Sequence, residues 1–325
     1  MSGPRRAQDI DCWVVSDGKA GMEGQCLGVA ETLGATPLVK RIQVRPPWRW
    51  LPPGLWPAPL AALSPAGDAL APPWPDLLIA SGRLAVAPAI AVRRASAGRT
   101  FCVQLQDPTV DAAKFDLVAT PGHDRLSGPN VISTLGAMHR VTAAKLAAAA
   151  QGAPPCLARL PRPLVAVLLG GDNRAYRFTE TAAESLGRDL ARLARAEGAG
   201  LAVTPSPRTS PLVLATIRRC LEGLPAVIWD GTGENPYFAF LAHADALVVS
   251  GDSVNMVSEA AATGKPVFVA ELKGGSAKFN RFHRAMHEAG VTRPFAGRLE
   301  KWSYRPPDDT VRVAGEIKRR MGLVD

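Results

Sequence analysis

The sequence of 325 residues lacks the features of disulfide-rich, zinc-binding and membrane-spanning proteins. Its five cysteines are odd in number and form no CxxC pair, which predicts reduced thiols and no zinc site. The apolar stretch 50–67 contains too many prolines to form a membrane-spanning helix. The N-terminal residues have no apolar run behind their arginines, so no secretory signal is predicted and we expect a cytoplasmic protein.

The sequence also lacks long blocks of like charge. Lysine and arginine number 38 against 29 aspartates and glutamates, and the net charge of +9 is spread along the chain. This distribution argues against a nucleic-acid partner and fits an anionic small substrate or a phospholipid surface. The signatures HExxH and GxSxG are absent too, so a zinc peptidase or an α/β-hydrolase is not expected. We predict no metal and no cofactor.

Short apolar runs alternate with alanine-rich, helix-like stretches, which predicts parallel sheets covered by helices. In the first half the predicted strands are 12–16, 38–44, 76–81, 100–105, 117–120 and 130–133. A proline-rich linker at 152–163 precedes a second series of strands and helices. We therefore predict an α/β protein with two Rossmann-like βα domains, 1–151 and 164–307, facing each other across a GT-B-like cleft. A last helix within 308–325 is expected to pack back on the first domain.

Ligands of such sheets bind where strands end and helices begin, and the first domain has a charged turn at such a point. The turn SDGKAGMEGQ at 16–25 contains Gly18 and Gly21, which allow tight turning, and the charged Asp17 and Lys19. Such a turn can hold a phosphate or present a carboxylate as a general base. The alternative is a tight turn whose charges are merely solvated.

Two further turns of the first domain, 104–108 and 120–124, carry Asp107 and His123. Because both follow predicted strands, both would face the cleft, and either could act as a general base. A single histidine is more often structural than catalytic, so that alternative stays open for His123.

Two turns of the second domain combine glycine or hydroxyl groups with arginine. Gly170 and Gly171 end a buried strand and can direct backbone N–H groups toward a diphosphate, with Arg174 available for bidentate contact. The alternative is a turn in which one glycine needs a positive φ. Ser206 and Arg208 lie just before a predicted helix, where an anion can bind.

The strongest signal is SGDSVNMVSEAAATGKPVFV at 250–269. A strand that contains Ser250 ends at Gly251, a small polar turn with Asp252 follows, and a helix begins. Ser253 at the helix start can meet a phosphate, and Glu259 further along can bind two ribose hydroxyls. The alternative is that Glu259 is only a carboxylate on the helix surface.

Residues 46–75 have an unusual composition. They hold ten of the 29 prolines and four of the seven tryptophans, but only two charged side chains. Within 46–59, apolar side chains beside arginines can dock at a membrane interface and admit a lipid acceptor. The alternative is a proline-stiffened loop packed on its own domain. The side chains concerned are Trp48, Trp50, Leu55 and Trp56, beside Arg45 and Arg49.

Together these motifs resemble a known family. The two-domain pattern and GDSxxMxSEAAATGKPV look like the GT-B glycosyltransferases, and the motif is similar to the nucleotide-sugar signature of the lipid-linked glucosaminyltransferase of peptidoglycan synthesis. More closely, SDGKAGMEGQ, QDP, TPGHD, GGDNRAYRFT, SPRTSP and DSVNMVSEAAATGKPV resemble the mitochondrial fission (elongated-mitochondria) family, over roughly 11–305. Many bacterial members of that family are treated as glycosyltransferases.

The resemblance implies a nucleotide-sugar donor bound by the second domain and an acceptor bound by the first. The expected donor-side residues are Gly170, Gly171, Arg174, Ser206, Arg208, Ser250, Asp252, Ser253, Asn255, Met256 and Glu259. The expected acceptor-side residues are Gly18, Lys19, Gly21 and His123, with Asp17 as the acceptor base and Asp107 as the second candidate.

Our primary prediction is a metal-independent GT-B glycosyltransferase. It would take a nucleotide sugar as donor and a lipid-linked or envelope glycan as acceptor, at the inner face of a membrane. One alternative is a sugar-nucleotide 2-epimerase on the same fold. Another is a non-catalytic scaffold that recruits a membrane or division partner.

Overall fold

The computed structural model describes residues 5–324, in which twelve strands form two sheets of six parallel strands each. The strands of the first sheet are β1 (Cys12–Ser16), β2 (Pro37–Arg41), β3 (Leu77–Ser81), β4 (Phe101–Leu105), β5 (Leu117–Pro121) and β6 (Val131–Thr134). The strands of the second sheet are β7 (Leu164–Leu169), β8 (Gly200–Pro205), β9 (Ala226–Ile228), β10 (Ala246–Ser250), β11 (Val267–Ala270) and β12 (Thr292–Pro294). The helices are α1 (Ala20–Leu33), α2 (Arg83–Ala95), α3 (Ala143–Ala150), α4 (Glu180–Glu197), α5 (Pro211–Cys220), α6 (Tyr237–His243), α7 (Val254–Ala261), α8 (Ala277–Glu288) and α9 (Asp309–Met321).

The central strands of both sheets are buried on both faces. Every residue of β1, β3, β7 and β10 is buried, as expected for parallel strands covered by helices. Their sequences are therefore continuous apolar runs rather than alternating patterns, and the predicted bounds of β1 and β3 match within a residue. The predicted α/β class with two Rossmann-like βα sheets is confirmed.

The order of the strands reverses once in each sheet. The first sheet has the order β2-β1-β3-β4-β5-β6, so the chain adds β2 on one side of β1 and β3 on the other. The second sheet has the order β12-β11-β10-β7-β8-β9, in which β8 and β10 flank β7. Such a topological switch point opens a crevice at the carboxyl ends of the strands, where α/β proteins bind ligands.

The chain divides into two compact units. The second unit is Val141–Pro307, and the first comprises the residues up to Arg140 together with those from Asp308. Helix α3 therefore belongs to the second unit, where it packs on α6 and places Lys145 Nζ 5.8 Å from the centre of the Phe238 ring. The prediction that the first domain extends to residue 151 is thus wrong, because the proline-rich segment after α3 is not the boundary.

Helix α9 completes the first unit and packs along α1. Its side chains Val313 and Ile317 lie in the core of that unit. At its start, Asp309 Oδ2 accepts hydrogen bonds from the N–H groups of Leu135 at 2.8 Å and Gly136 at 3.0 Å. The last helix is therefore joined to the first unit by both apolar packing and hydrogen bonds.

The insertion 46–75 folds back on the first unit. The Arg45 N–H donates to the Ala62 carbonyl at 3.0 Å, which closes the loop. The Trp56 side chain is buried and Trp48 is half-buried in a small apolar cluster. Of the two alternatives left open for this segment, Trp56 follows the packed one, because it lies in a cluster with Leu84 and Ala87 of α2.

Candidate active site

The turns after β1 and β3 lie at the switch point of the first sheet. The turn after β1 contains Asp17, Gly18 and Lys19, and α1 follows with Gly21 in its first turn. Gly18 has a φ of +79°, a conformation that residues with a Cβ rarely adopt, and its N–H donates to Ser16 Oγ at 3.2 Å. These local features hold Asp17 at the carboxyl end of the central strand.

The Asp17 carboxylate has one paired and one unpaired oxygen. Its side chain is only 12% exposed, and Oδ2 accepts a hydrogen bond from the Lys19 ammonium. Oδ1 is buried and has no hydrogen-bond partner among residues 5–324. A carboxylate oxygen with an available lone pair can accept a proton from a hydroxyl group, which is what a general base requires.

Met22 fills the space beside this carboxylate turn. Its Sδ accepts hydrogen bonds from Ser81 Oγ at 3.4 Å and Gln106 Nε2 at 3.2 Å, and it packs beside Gly82. Gln106 has a φ of +74°, an unfavourable value for a residue with a Cβ. Met22 thus connects the start of α1 with the carboxyl ends of β3 and β4. Sequence reasoning did not single out Gln106, because only the strand order brings it to Met22.

The two other candidate bases of the first unit have local partners. Asp107 Oδ1 accepts a hydrogen bond from the Thr109 N–H at 2.8 Å and so shapes the turn after β4. His123 is buried, with Nε2 3.7 Å from Asp124 Oδ1, and Asp124 Oδ2 accepts from Thr120 Oγ1 at 2.7 Å. The structure therefore places His123 inside a buried polar group after β5.

The turns after β7 and β10 touch at the switch point of the second sheet. The Gly170 N–H donates to Ser250 Oγ at 2.7 Å, and the Gly171 N–H donates to Asp252 Oδ2 at 2.9 Å. Contrary to prediction, these N–H groups are not directed at a diphosphate, and neither glycine has a positive φ. The glycines instead permit close approach: a Cβ at Gly170 would lie 2.2 Å from the Asp252 carboxylate, and one at Gly171 would lie 2.0 Å from the Arg208 carbonyl oxygen.

Asp252 is the centre of this contact. Its buried carboxylate accepts hydrogen bonds from Ser250 Oγ at 2.7 Å and Arg208 Nη2 at 2.9 Å, besides the Gly171 N–H. Ser250 and Asp252 thus make contacts within the protein, and their contact with a donor stays a prediction. Arg208 Nη1 also donates to the Gly171 carbonyl at 2.8 Å, yet the Arg208 side chain stays 40% exposed. It can therefore still meet an anion in solvent.

Ser206 and Ser210 shape the turn before α5. Ser206 Oγ accepts a hydrogen bond from the Arg208 N–H at 3.2 Å, and Ser210 Oγ caps α5 by accepting from the Val213 N–H. Arg174, after β7, is exposed. Arg208 and Arg174 are thus exposed cations at this edge.

Helix α7 begins at the same switch point and carries Glu259. Ser253 caps the helix by accepting a hydrogen bond from the Met256 N–H at 3.3 Å, and Asn255 and Met256 are half-buried. The Tyr237 hydroxyl donates to Glu259 Oε2 at 2.5 Å. Burial raises the pKa of the Glu259 carboxyl to about 7, although the Tyr237 hydrogen bond acts in the opposite direction. Glu259 is therefore not a freely solvated surface carboxylate.

Lys265, in the GKP turn after α7, has a structural role that sequence reasoning missed. Its ammonium donates to the carbonyls of Leu241 at 2.8 Å and Ala242 at 2.5 Å, in the last turn of α6. Burial lowers the pKa of Lys265 to about 8. Because Tyr237 at the start of α6 bonds Glu259, both ends of this short helix are attached to the α7 segment.

His283 on α8 is a second missed residue near the turn after β10. Its Nε2 lies 2.7 Å from the Gly251 carbonyl, and burial lowers the pKa of the imidazole. Since a carbonyl can only accept, Nε2 carries the proton, and Nδ1 is a buried acceptor without a partner in the described part of the chain. No motif marked this histidine.

Residues 5–324 contain no group of three or more His, Cys, Asp or Glu side chains placed to share a metal ion. Over the same residues, no helix is both long and apolar enough to cross a membrane. The sequence prediction of a metal-independent protein stays a prediction.

Solved structures of similar architecture share little sequence with this chain. The UDP-GlcNAc 2-epimerase of Methanocaldococcus jannaschii superposes with a TM-score of 0.56 at 9% identity, covering 96% of this chain and 98% of that one. The MnaA–UDP structure of S. aureus gives 0.52 at 12% identity, over 96% and 89%. The glycosyltransferase of kitacinnamycin gives 0.51 at 13% identity, over 98% and 93%. This likeness shows the fold alone, that of GT-B glycosyltransferases and related epimerases.

Sequence relatives identify the family. The mitochondrial fission protein ELM1 of Arabidopsis thaliana is 34% identical over 274 residues, which cover 76% of this chain but only 64% of the plant protein. An uncharacterized protein of Rickettsia prowazekii is 25% identical over 284 residues, 75% of this chain and 79% of that one. The family model described as mitochondrial fission ELM1 matches residues 20–321, so the resemblance found in the sequence is confirmed. The chain belongs to the mitochondrial fission ELM1 family.

Proposed function

We propose that this chain is a glycosyltransferase whose nucleotide-sugar donor binds in the second unit, beside α7 and the turns after β7 and β10. The observation that carries the proposal is the environment of Glu259. This half-buried carboxylate lies on α7, the helix that Ser253 caps, and it accepts a hydrogen bond from Tyr237. Two ribose hydroxyls can donate to such a carboxylate, and the positive N-terminal end of α7 favours a diphosphate. The names of solved structures with the same fold, which include UDP and UDP-GlcNAc 2-epimerases, support this class of ligand.

The proposed reaction needs a stabilised leaving group and a base. The N-terminal end of α7 and the exposed part of Arg208 would stabilise the diphosphate without a metal ion. At the switch point of the first sheet, the Asp17 carboxylate would accept the proton of the acceptor hydroxyl, and Asp107 is the second candidate. A lipid-linked or envelope glycan is the proposed acceptor.

The donor site is tested by calorimetry with UDP-GlcNAc at several pH values. A ribose hydroxyl donates to the ionised carboxylate, so binding should release a proton from Glu259 when the pH is below about 7. We expect the affinity to rise as the pH increases toward 7 and to level off above it. Buffers with different heats of ionisation measure the released proton. UDP itself is unsuitable, because its terminal phosphate titrates in this range.

The matched variants are Glu259→Gln and Glu288→Gln, the latter removing an exposed carboxylate of α8. Glu259→Gln should bind at least about tenfold more weakly and release no proton, whereas Glu288→Gln should behave as the unchanged protein. Because the pKa of the Glu259 carboxyl is raised in the folded protein, ionisation of this group lowers the free energy of unfolding as the pH rises toward 7. Glutamine has no such charge, so at about pH 8 the Glu259→Gln variant should unfold at a temperature no lower than that of the unchanged protein. Undiminished affinity or unaltered proton release in Glu259→Gln would refute the ribose role.

The acceptor base is tested by replacing Asp17 with asparagine. Release of UDP from a nucleotide sugar that binds, with a membrane lipid extract as source of acceptor, should fall at least about 100-fold. Donor affinity should stay unchanged, because the donor is proposed to bind the other unit. Asp107→Asn is measured beside it; if that variant loses turnover and Asp17→Asn does not, the assignment of the two carboxylates is reversed.

The alternatives give different results in the same assays. A sugar-nucleotide 2-epimerase would convert the nucleotide sugar, or release UDP from it, without any acceptor. A non-catalytic scaffold would bind no nucleotide sugar in calorimetry. Either result would replace the transferase proposal.

A further inference from the structure

The insertion 46–75 leaves two large apolar side chains in water. Trp50 is 70% exposed and Leu55 is 63% exposed, and these are the highest values for large apolar side chains within residues 5–324. Both lie in the same short stretch of the first unit. Exposed apolar side chains clustered in this way often mark an interaction surface.

The loop that carries these side chains is well anchored. Arg83, at the start of α2, donates hydrogen bonds to the Leu51 carbonyl at 2.9 Å and to the Arg49 carbonyl. Trp56 Nε1 also donates to the Leu51 carbonyl, at 3.3 Å, while its ring packs in the small cluster with Trp48. The loop therefore buries some of its tryptophans and holds Trp50 outside, so the exposure of Trp50 does not come from a lack of local structure.

The part of the chain that carries Trp50 and Leu55 is rich in cations. No aspartate or glutamate occurs between Glu31 and Asp68, whereas this interval contains four cationic side chains. The cations are Lys40, Arg41, Arg45 and Arg49. Arg41 is paired with Glu23, but the exposed Arg45 and Arg49 have no acidic partner within the insertion. The complementary surface is therefore anionic as well as apolar.

We propose that Trp50 and Leu55 insert at the headgroup boundary of a bilayer that contains anionic phospholipid, with Arg45 and Arg49 against its phosphates. Tryptophan favours this boundary, and arginines near it are attracted to anionic lipid. The insertion starts at the carboxyl end of β2, where Arg41 lies in register with Ser16 of β1. Docking would therefore bring the edge that carries the Asp17 turn toward the lipid surface.

Vesicle co-sedimentation tests this surface without any nucleotide. The unchanged chain should bind vesicles of phosphatidylcholine with about 30% phosphatidylglycerol, more weakly at high salt, and should bind pure phosphatidylcholine far less. The variant Trp50→Ala/Leu55→Ala should partition at least about tenfold less. The matched control is Leu212→Ala/Val311→Ala, which removes two other exposed large apolar side chains and should bind as before.

Several outcomes would overturn the proposal. The first is an equal loss of vesicle binding in both double variants, and the second is undiminished vesicle binding by Trp50→Ala/Leu55→Ala. The others are equal binding of the unchanged chain to anionic and neutral vesicles, and no vesicle binding by the unchanged chain. Thermal unfolding separates loss of binding from loss of fold, since both replaced side chains are mostly in water. Because no nucleotide is present, failure of the donor-site calorimetry would leave this result untouched.

Discussion

Replacing Gly171 with alanine is expected to cost the second unit about 3 kcal/mol or more of its free energy of unfolding. The new Cβ would lie 2.0 Å from the Arg208 carbonyl oxygen and 2.2 Å from its carbonyl carbon. These are backbone atoms, and the Arg208 guanidinium also bonds the Gly171 carbonyl and Asp252. The turns after β7 and β8 therefore cannot separate without losing hydrogen bonds.

Urea unfolding followed by tryptophan fluorescence measures this cost. The control is Gly315→Ala in α9, where an added Cβ would meet nothing within 4 Å. Alanine is the better helix former, so this variant should gain about 0.5–1 kcal/mol. A Gly171→Ala protein with an unchanged unfolding midpoint would mean that the two turns are not in close contact.

Replacing Asp252 with asparagine is expected to lower the free energy of unfolding by about 1.5–3 kcal/mol, because hydrogen bonds to a charged group are lost while the Arg208 side chain is 40% exposed. The buried carboxylate accepts hydrogen bonds from Ser250 Oγ, the Gly171 N–H and Arg208 Nη2. Asparagine retains one acceptor oxygen for the Gly171 N–H and Arg208, and its amide nitrogen can face Ser250 only if that hydroxyl turns from donor to acceptor. The variant also leaves the Arg208 guanidinium without its carboxylate.

A double-mutant cycle in urea distinguishes this ion pair from a general packing defect. Asp252→Asn/Arg208→Gln should lose clearly less stability than the sum of the two single variants, because the residues share one contact. As a surface comparison, Arg177 lies 3.6 Å from Asp172, and both side chains are well exposed. Arg177→Gln should change the stability by no more than about 0.5 kcal/mol. If the loss of unfolding free energy in the double variant equals the sum of the losses in the two single variants, Asp252 and Arg208 are not coupled.

The sequence predicts much of the fold because the central strands are buried on both faces. Continuous apolar runs bounded by glycine or polar residues locate β1 and β3 closely. A helix start is also predictable where a serine caps it, as at Ser253 before α7. The boundary between the two units could not be predicted from the sequence. The proline-rich segment follows α3, yet α3 packs in the second unit.

The partners in the candidate site depend on strand order and could not be predicted locally. Gly170 looked like a phosphate-binding glycine, but β10 lies beside β7 and brings Asp252 against it. Glu259 was found from its motif, whereas its partner Tyr237 comes from a separate short helix. In the insertion, composition alone did not distinguish the buried Trp56 from the exposed Trp50, since the loop closure decides which ring is covered.

The position of α9 has a consequence for the order in which the chain can fold during synthesis. The first unit needs α9, whose Val313 and Ile317 enter its core and whose Asp309 binds the N–H groups of Leu135 and Gly136. Residues Val141–Pro307 emerge from the ribosome before α9 does, and domains generally fold as units during translation. The unit whose synthesis starts first is therefore the one completed last, and its core stays open beside α1 until the second unit has been made.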